Sequence, residues 1–172
     1  AMWRFTRPPM LACVLAVILF PSLAFGCGFT THNLVAHRAL ALFQPENSTY
    51  AEIAAKFPNS VLGGAPFPDY LYACGKNHDD GEYAHWPPFQ AAAAEIIRSK
   101  PQPWDESTQK LVAFMFGVVS HSIADDVWHG MHSVPSGYGF IQTLGLEDYN
   151  CTGNLCSPAH TAADTGGEFV AA

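Results

Sequence analysis

The chain has 172 residues, 49% of them hydrophobic and 13% charged, which fits one compact domain and excludes a disordered or repeat protein. Its formal net charge is −7, so it carries no basic footprint for a tight, sequence-independent grip on nucleic acid or anionic lipid. In chain order, the first element is a targeting segment. Arg4 and Arg7 precede an apolar run from Met10 to Phe20 that is short for a bilayer span, and Ala24-Phe25-Gly26 places small residues at the two positions a signal peptidase inspects. Residues 1–26 are therefore expected to be a signal peptide and residues 27–172 the secreted, mature domain. Removal of Arg4 and Arg7 takes the charge to about −9, and no transmembrane segment is expected to remain.

Along the mature chain the pattern is helices and loops without an alternating strand, which predicts an all-α fold. Leu34, Val35, Ala39 and Leu42 share a helical spacing and predict a helix from Thr31 to about Phe43, with Thr30 or Thr31 as cap. A shorter helix is expected from Tyr50 to Phe57. Residues Pro58 to Pro88 are rich in Gly, Pro, Asp and aromatics and read as a long functional loop that carries Asp69 and His85. An alanine-rich helix follows from Phe89 to Ser99. The longest helix spans Glu106 to His129, with a break expected at Gly117 and a stop at Gly130. A short helix around Phe140 to Leu144 precedes a last one that opens on Ser157 and Pro158 and is cut off at Gly166-Gly167.

Cleavage removes Cys13 and leaves Cys27, Cys74, Cys151 and Cys156. An even number of cysteines in a secreted chain reads as two disulfides. Cys151 and Cys156 are close enough to close a small loop, which would leave Cys27 for Cys74, but spacing alone does not fix the connectivity. Asn47-Ser-Thr and Asn150-Cys-Thr are glycosylation sequons.

The chemistry is concentrated in histidines and aspartates. His121, Asp125 and His129 stand at i, i+4 and i+8, which drift by only about 80° around a helix, so their side chains leave one face. His160 and Asp164 repeat the i, i+4 spacing, and two helices can thus present imidazole and carboxylate to one cavity. These are the donors that Zn²⁺ accepts in catalytic sites. A lone histidine on an apolar helix is ordinarily a satisfied core residue, but two spaced sets argue for a metal. His32, Asp69 and His85 are further candidates. Asp126, about 100° around from Asp125, is expected to support a ligand or face solvent. His37, His78 and His132 lie outside the spacing, and Tyr83, Trp86 and Trp128 are expected to pack beside the ligands.

Cys27-Gly-Phe-Thr-Thr-His32, His37-Arg38-Ala39, Phe67-Pro68-Asp69, His85-Trp86-Pro-Pro-Phe89, Leu111-Val-Ala-Phe-Met-Phe-Gly117 and the His121/Asp125/His129 run occur in the order of a known family. They resemble the catalytic domain of glycosylphosphatidylinositol-specific phospholipase D, within the zinc-dependent phospholipase C and single-strand nuclease superfamily. The likeness covers nearly all of residues 27–169. It implies a helical zinc-dependent phospholipase C-like fold holding three zinc ions, one of them through the amino and carbonyl groups of the mature first residue. Carried over residue by residue, the ligands are Cys27, His32, Asp69, His85, His121, Asp125, His129, His160 and Asp164. The family's catalytic domain continues beyond the second metal helix, so the domain at 27–172 is expected to be incomplete at its carboxyl end.

A multi-zinc cluster can polarise phosphoryl oxygens and activate water for in-line displacement. The expectation is a secreted zinc-dependent phosphodiesterase that hydrolyses phospholipid at a membrane surface, most specifically a glycosylphosphatidylinositol anchor. Asp69 is the candidate bridging ligand or catalytic base. The alternatives are a single-strand nuclease or nucleotidase of the same superfamily, or an inactive zinc-binding fragment; no specific nucleic-acid partner is expected.

Overall fold

A computed structural model describes residues 28–44, 48–74, 78–130, 139–151 and 157–171. These form nine α-helices: α1 (Phe29–Leu40), α2 (Thr49–Lys56), α3 (Pro58–Gly64), α4 (Phe67–Cys74), α5 (His78–His85), α6 (Pro87–Arg98), α7 (Glu106–His129), α8 (Phe140–Asp148) and α9 (Ser157–Ala171), with no strand among the described residues. The all-α expectation therefore holds. The signal peptide, Cys27, Asn47, His132 and Cys156 lie outside the described residues, as do the side chains of Cys74 and His78.

Helix α7 is the central element, packed against α1 to α6 and α8. Its length and apolar composition would also suit a membrane span; here Val112, Ala113 and Val118 on it are buried in the protein. Asp105 caps its start by accepting from the Thr108 backbone N–H at 2.7 Å, and Gly130 ends it in the left-handed region at φ 72°, where glycine carries no Cβ penalty. The break expected at Gly117 does not occur. Gly117 is instead a crossing point: a Cβ there would overlap the Val61 carbonyl, and one on Gly64 would overlap the Phe114 carbonyl, so the two glycines let α3 and α7 touch backbone to backbone.

Most of the described residues in the stretch read as a loop from Pro58 to Pro88 are helical, in α3, α4, α5 and the start of α6. Four of its five prolines stand in first turns, Pro58 in α3, Pro68 in α4, Pro87 and Pro88 in α6, where a missing N–H leaves no helical bond unmade; Pro66 lies in the turn before α4. The glycines and aromatics that lowered its helix propensity are outweighed by packing on α7. The last helix likewise runs through Gly166-Gly167 to Ala171, because α9 docks on α8 and α1 and tertiary contact overrides propensity.

Two apolar clusters result. The larger joins Ala36, Ile53, Val61, Ala65, Ile97 and Val112. The smaller has only Ile141, Ala159 and Ala163 at its centre, with Trp128, Leu144 and Cys151 against it. The polar site lies between α1, α4, α5, α7 and α9.

Candidate metal centre

His32 and Asp69 sit in the first turns of α1 and α4, His85 ends α5, and α7 and α9 supply the spaced pairs. The fold brings the first five of these side chains to one place. His32 Nε2 lies 3.3 Å from Asp125 Oδ1 and 3.6 Å from Asp69 Oδ2. His85 Nε2 lies 3.3 Å from Asp69 Oδ1 and 3.6 Å from Asp125 Oδ2. His121 Nε2 is 3.0 Å from Asp125 Oδ2, and its ring stacks on His32 with centroids 3.7 Å apart. Two overlapping triads, His32/Asp69/His121 and His85/His121/Asp125, each offer ligand atoms within 4.8 Å of one another.

The second set continues the first. His129 Nε2 is 3.9 Å from Asp125 Oδ1, and its ring faces His160 at 4.9 Å between centroids. His160 Nδ1–H donates to Asp164 Oδ2 at 2.7 Å. Asp164 Oδ1 accepts from the Trp128 indole N–H at 3.1 Å. All eight expected side-chain ligands outside Cys27 thus line one continuous site.

The imidazoles are oriented by backbone carbonyls. His121 Nδ1–H donates to the Ala65 carbonyl at 2.7 Å and His85 Nδ1–H to the Gly81 carbonyl at 2.7 Å. A carbonyl only accepts, so Nδ1 carries a proton and Nε2 is turned toward the carboxylates. This is the arrangement that fixes the tautomer of metal-binding histidines.

The fit to a cation can be tested on unpaired atoms. Asp69, His121 and His32 are almost completely buried. Asp69 Oδ2, Asp125 Oδ1 and His121 Nε2 make no hydrogen bond, although each has an opposite partner within 4 Å. Buried polar atoms left in this way are destabilising. His85 Nε2 does make a hydrogen bond with Asp69 Oδ1, at 3.3 Å, but these other atoms approach one another without one, around a space that a divalent ion would fill, and the nitrogen and oxygen donor set suits zinc.

The electrostatics agree. Burial alone would raise the Asp125 carboxyl, but His121 and His32 beside it hold it well below the usual carboxylate range. At His85 burial favours the neutral ring, yet contacts with Asp69 and the Gly81 carbonyl outweigh it and raise the pKa. The hydrogen bond that His160 donates to Asp164 raises its pKa, whereas burial lowers that of His129. Burial and the Glu82 carboxylate raise the Tyr72 phenol above its ordinary range; beside His85 it is a hydrogen-bond donor and not a base.

Asp126 is half-buried and, with Trp86, Ile123 and Gln90, lines a cleft of about 270 Å³ beside His85 and Asp125. His37 is exposed. Tyr83 is 70% exposed, so it does not wall the site, whereas Trp128 packs on Phe140 and holds Asp164. The Ala65 and Gly81 carbonyls carry no signal in the sequence, since every residue has one; only the fold selects them.

Comparison with known proteins supports this reading. The family described as zinc dependent phospholipase C matches residues 31–172. Phosphatidylinositol-glycan-specific phospholipase D of Mus musculus is 37% identical over 164 residues, covering 91% of this chain and 18% of that protein. The Homo sapiens protein of the same name is 39% identical over 151 residues, 84% of this chain and 17% of its own. The Dictyostelium discoideum protein is 40% identical over 146 residues, 84% and 15%. The chain spans less than a fifth of the length of these relatives, and no solved structure matches it. With a family match across most of its length laid over a buried histidine and aspartate cluster, the chain belongs to the zinc-dependent phospholipase C family.

Proposed function

We propose that this chain carries the metal-binding part of a secreted phosphodiesterase that hydrolyses phospholipid, with a glycosylphosphatidylinositol anchor as the substrate. The observation behind the reading is the convergence of Asp69, Asp125 and His121 through buried atoms that make no hydrogen bond. His32, Asp69, His85, His121, Asp125, His129, His160 and Asp164 would hold the zinc ions, three by the family's pattern, with the amino terminus at Cys27 completing one of them. Bound there, zinc would act as Lewis acid toward the phosphoryl oxygens and bring the pKa of water toward neutrality.

The chain's own residues do the rest. Asp69, fully buried, is set to orient a water and take its proton. Ala65 and Gly81 hold His121 and His85 in one tautomer, and Trp128 holds Asp164. The cleft edged by Trp86, Pro87, Val119 and Ile123 is an apolar surface beside His85 and Asp125. Secretion is supported by the amino-terminal segment and by the even number of cysteines, Cys27, Cys74, Cys151 and Cys156, that follows it. Asn150 is exposed, in the left-handed region at φ 50°, which suits a glycosylated asparagine. The domain boundaries are 1–26 for the signal peptide and 27 onward for the catalytic domain.

The experiment is to present a glycosylphosphatidylinositol-anchored protein on vesicles and, separately, single-stranded DNA to the purified protein and to Asp69→Asn. The near-isosteric change removes the charge and is expected to lower anchored-protein release by about 10²- to 10⁴-fold, the usual contribution of a general base, with helical circular dichroism retained. Digestion of DNA without anchor release would assign the nuclease activity instead. Unchanged hydrolysis by Asp69→Asn would remove Asp69 from its role.

A further inference from the structure

Glu168 follows His160 and Asp164 on α9 at the same i, i+4, i+8 spacing that His121, Asp125 and His129 have on α7. Its carboxylate, however, reaches the start of α1. Glu168 Oε1 accepts from the Thr30 backbone N–H at 2.8 Å, and Oε2 accepts from the Thr30 hydroxyl at 2.5 Å. Helix α1 has no side-chain cap of its own at Gly28, and a residue 138 positions away supplies the acceptor. Gly28 is shaped to admit it. Its φ is +84°, and a Cβ there would overlap the Glu168 carboxylate, so both backbone conformation and space call for glycine.

The contact bears on the site because His32 is in the same turn. The first bond of that turn runs from the His32 N–H to the Gly28 carbonyl at 3.1 Å, and the His32 ring then meets Asp69 and Asp125. At the other end, Glu168 is one turn beyond Asp164. One carboxylate therefore joins the helix of the second ligand pair to the turn that aims His32. We propose that Glu168 is a positioning residue: it clasps the first turn of α1 and holds His32 in register with Asp69 and Asp125. The inference rests on the reading above that His32 ligates zinc.

Glu168→Ala removes both bonds of the clasp and Thr30→Val removes the one made by the hydroxyl, leaving the backbone bond to Oε1, whereas Glu168→Gln keeps both bonds, its amide N–H donating to Thr30 Oγ1, and Thr30→Ser keeps the hydroxyl. The probes are release of bound Zn²⁺ to a chelator and the absorption spectrum of the Co²⁺-substituted protein, with His32→Ala as reference. Glu168→Ala is expected to lose one zinc about 10- to 100-fold faster than wild type, the usual effect of removing a residue that orients a ligand, and to shift the Co²⁺ bands as His32→Ala does, with Thr30→Val changing both in the same direction by less. Glu168→Gln and Thr30→Ser should stay near wild type. The double variant should be no worse than the worse single one, in zinc release and in the Tm of the metal-free protein, because both changes break one contact. If Glu168→Ala fails to fold, Thr30→Val against Thr30→Ser makes the same comparison. Zinc release at the wild-type rate from Glu168→Ala and Thr30→Val, or additive effects in the double variant, would overturn the proposal. A wild-type protein without zinc would overturn the functional reading instead, and the metal-free Tm cycle would then decide whether the clasp exists.

Discussion

Asp125 is approached by four imidazoles, from His32, His85, His121 and His129, at 3.0 to 3.9 Å, and these contacts make metal binding depend on pH in a definite direction. A ligand histidine must be neutral to bind. His85 and His160 hold their protons more tightly than an ordinary histidine with its value of 6.5, whereas buried His129 gives its proton up more easily. As pH falls, zinc therefore meets competition from His85 and His160 first, above 6.5. Zinc titrations between pH 8 and 6 should show affinity beginning to fall above 6.5, and affinity constant down to pH 6 would contradict the raised values. The spacing of His121, Asp125, His129, His160 and Asp164 was legible in the sequence because helical periodicity is local. The carbonyls behind His121 and His85, the indole behind Asp164 and the Glu168 clasp were not, because each joins residues whose proximity only the fold creates or uses a group every residue has.

Among the elements, glycines separate two roles. Gly117 in α7 and Gly64 in α3 meet partner backbone with no room for a methyl group, and backbone cannot move aside as a side chain can. Gly117→Ala is expected to destabilise by about 1–3 kcal/mol or more, as overpacking does. A Cβ on Gly166 in α9 would meet nothing within 4 Å, and Gly166→Ala should stabilise by about 0.5–1 kcal/mol through the entropy that glycine loses on folding. Thermal melts check both, and equal Tm shifts would show that the crossing is not tight. The two positions also show where propensity misleads. A glycine inside a helical pattern reads as a break at both, yet α7 uses Gly117 to approach α3 and α9 tolerates Gly166 because it is docked elsewhere. In the same way, Pro58, Pro68, Pro87 and Pro88, which read as loop punctuation, are first-turn residues of helices, a distinction that depends on where each helix packs.

At the scale of the molecule, the parts are unequally held. Helices α1 to α3, α6 and α7 share the larger apolar cluster, while α8 and α9 meet around Ile141, Ala159 and Ala163. Burial of one isoleucine contributes about 1.5–3 kcal/mol, so α9 depends in addition on Asp164, His160 and Glu168. Metal removal should consequently raise amide hydrogen exchange in α9 more than in the buried part of α7, by the general rule that weakly packed units open first. Equal protection of the two helices with and without metal would show that α9 is held by packing alone.

The central claim is that eight histidine and aspartate side chains from α1, α4, α5, α7 and α9 form a zinc site. It is tested most directly by elemental analysis of the purified protein after dialysis against zinc-free buffer, run beside His129→Ala and His160→Ala. The account predicts close to three zinc ions per wild-type chain and a lower content in each variant with helical circular dichroism preserved. A wild-type chain with no tightly bound zinc, or variants with undiminished zinc, would contradict it.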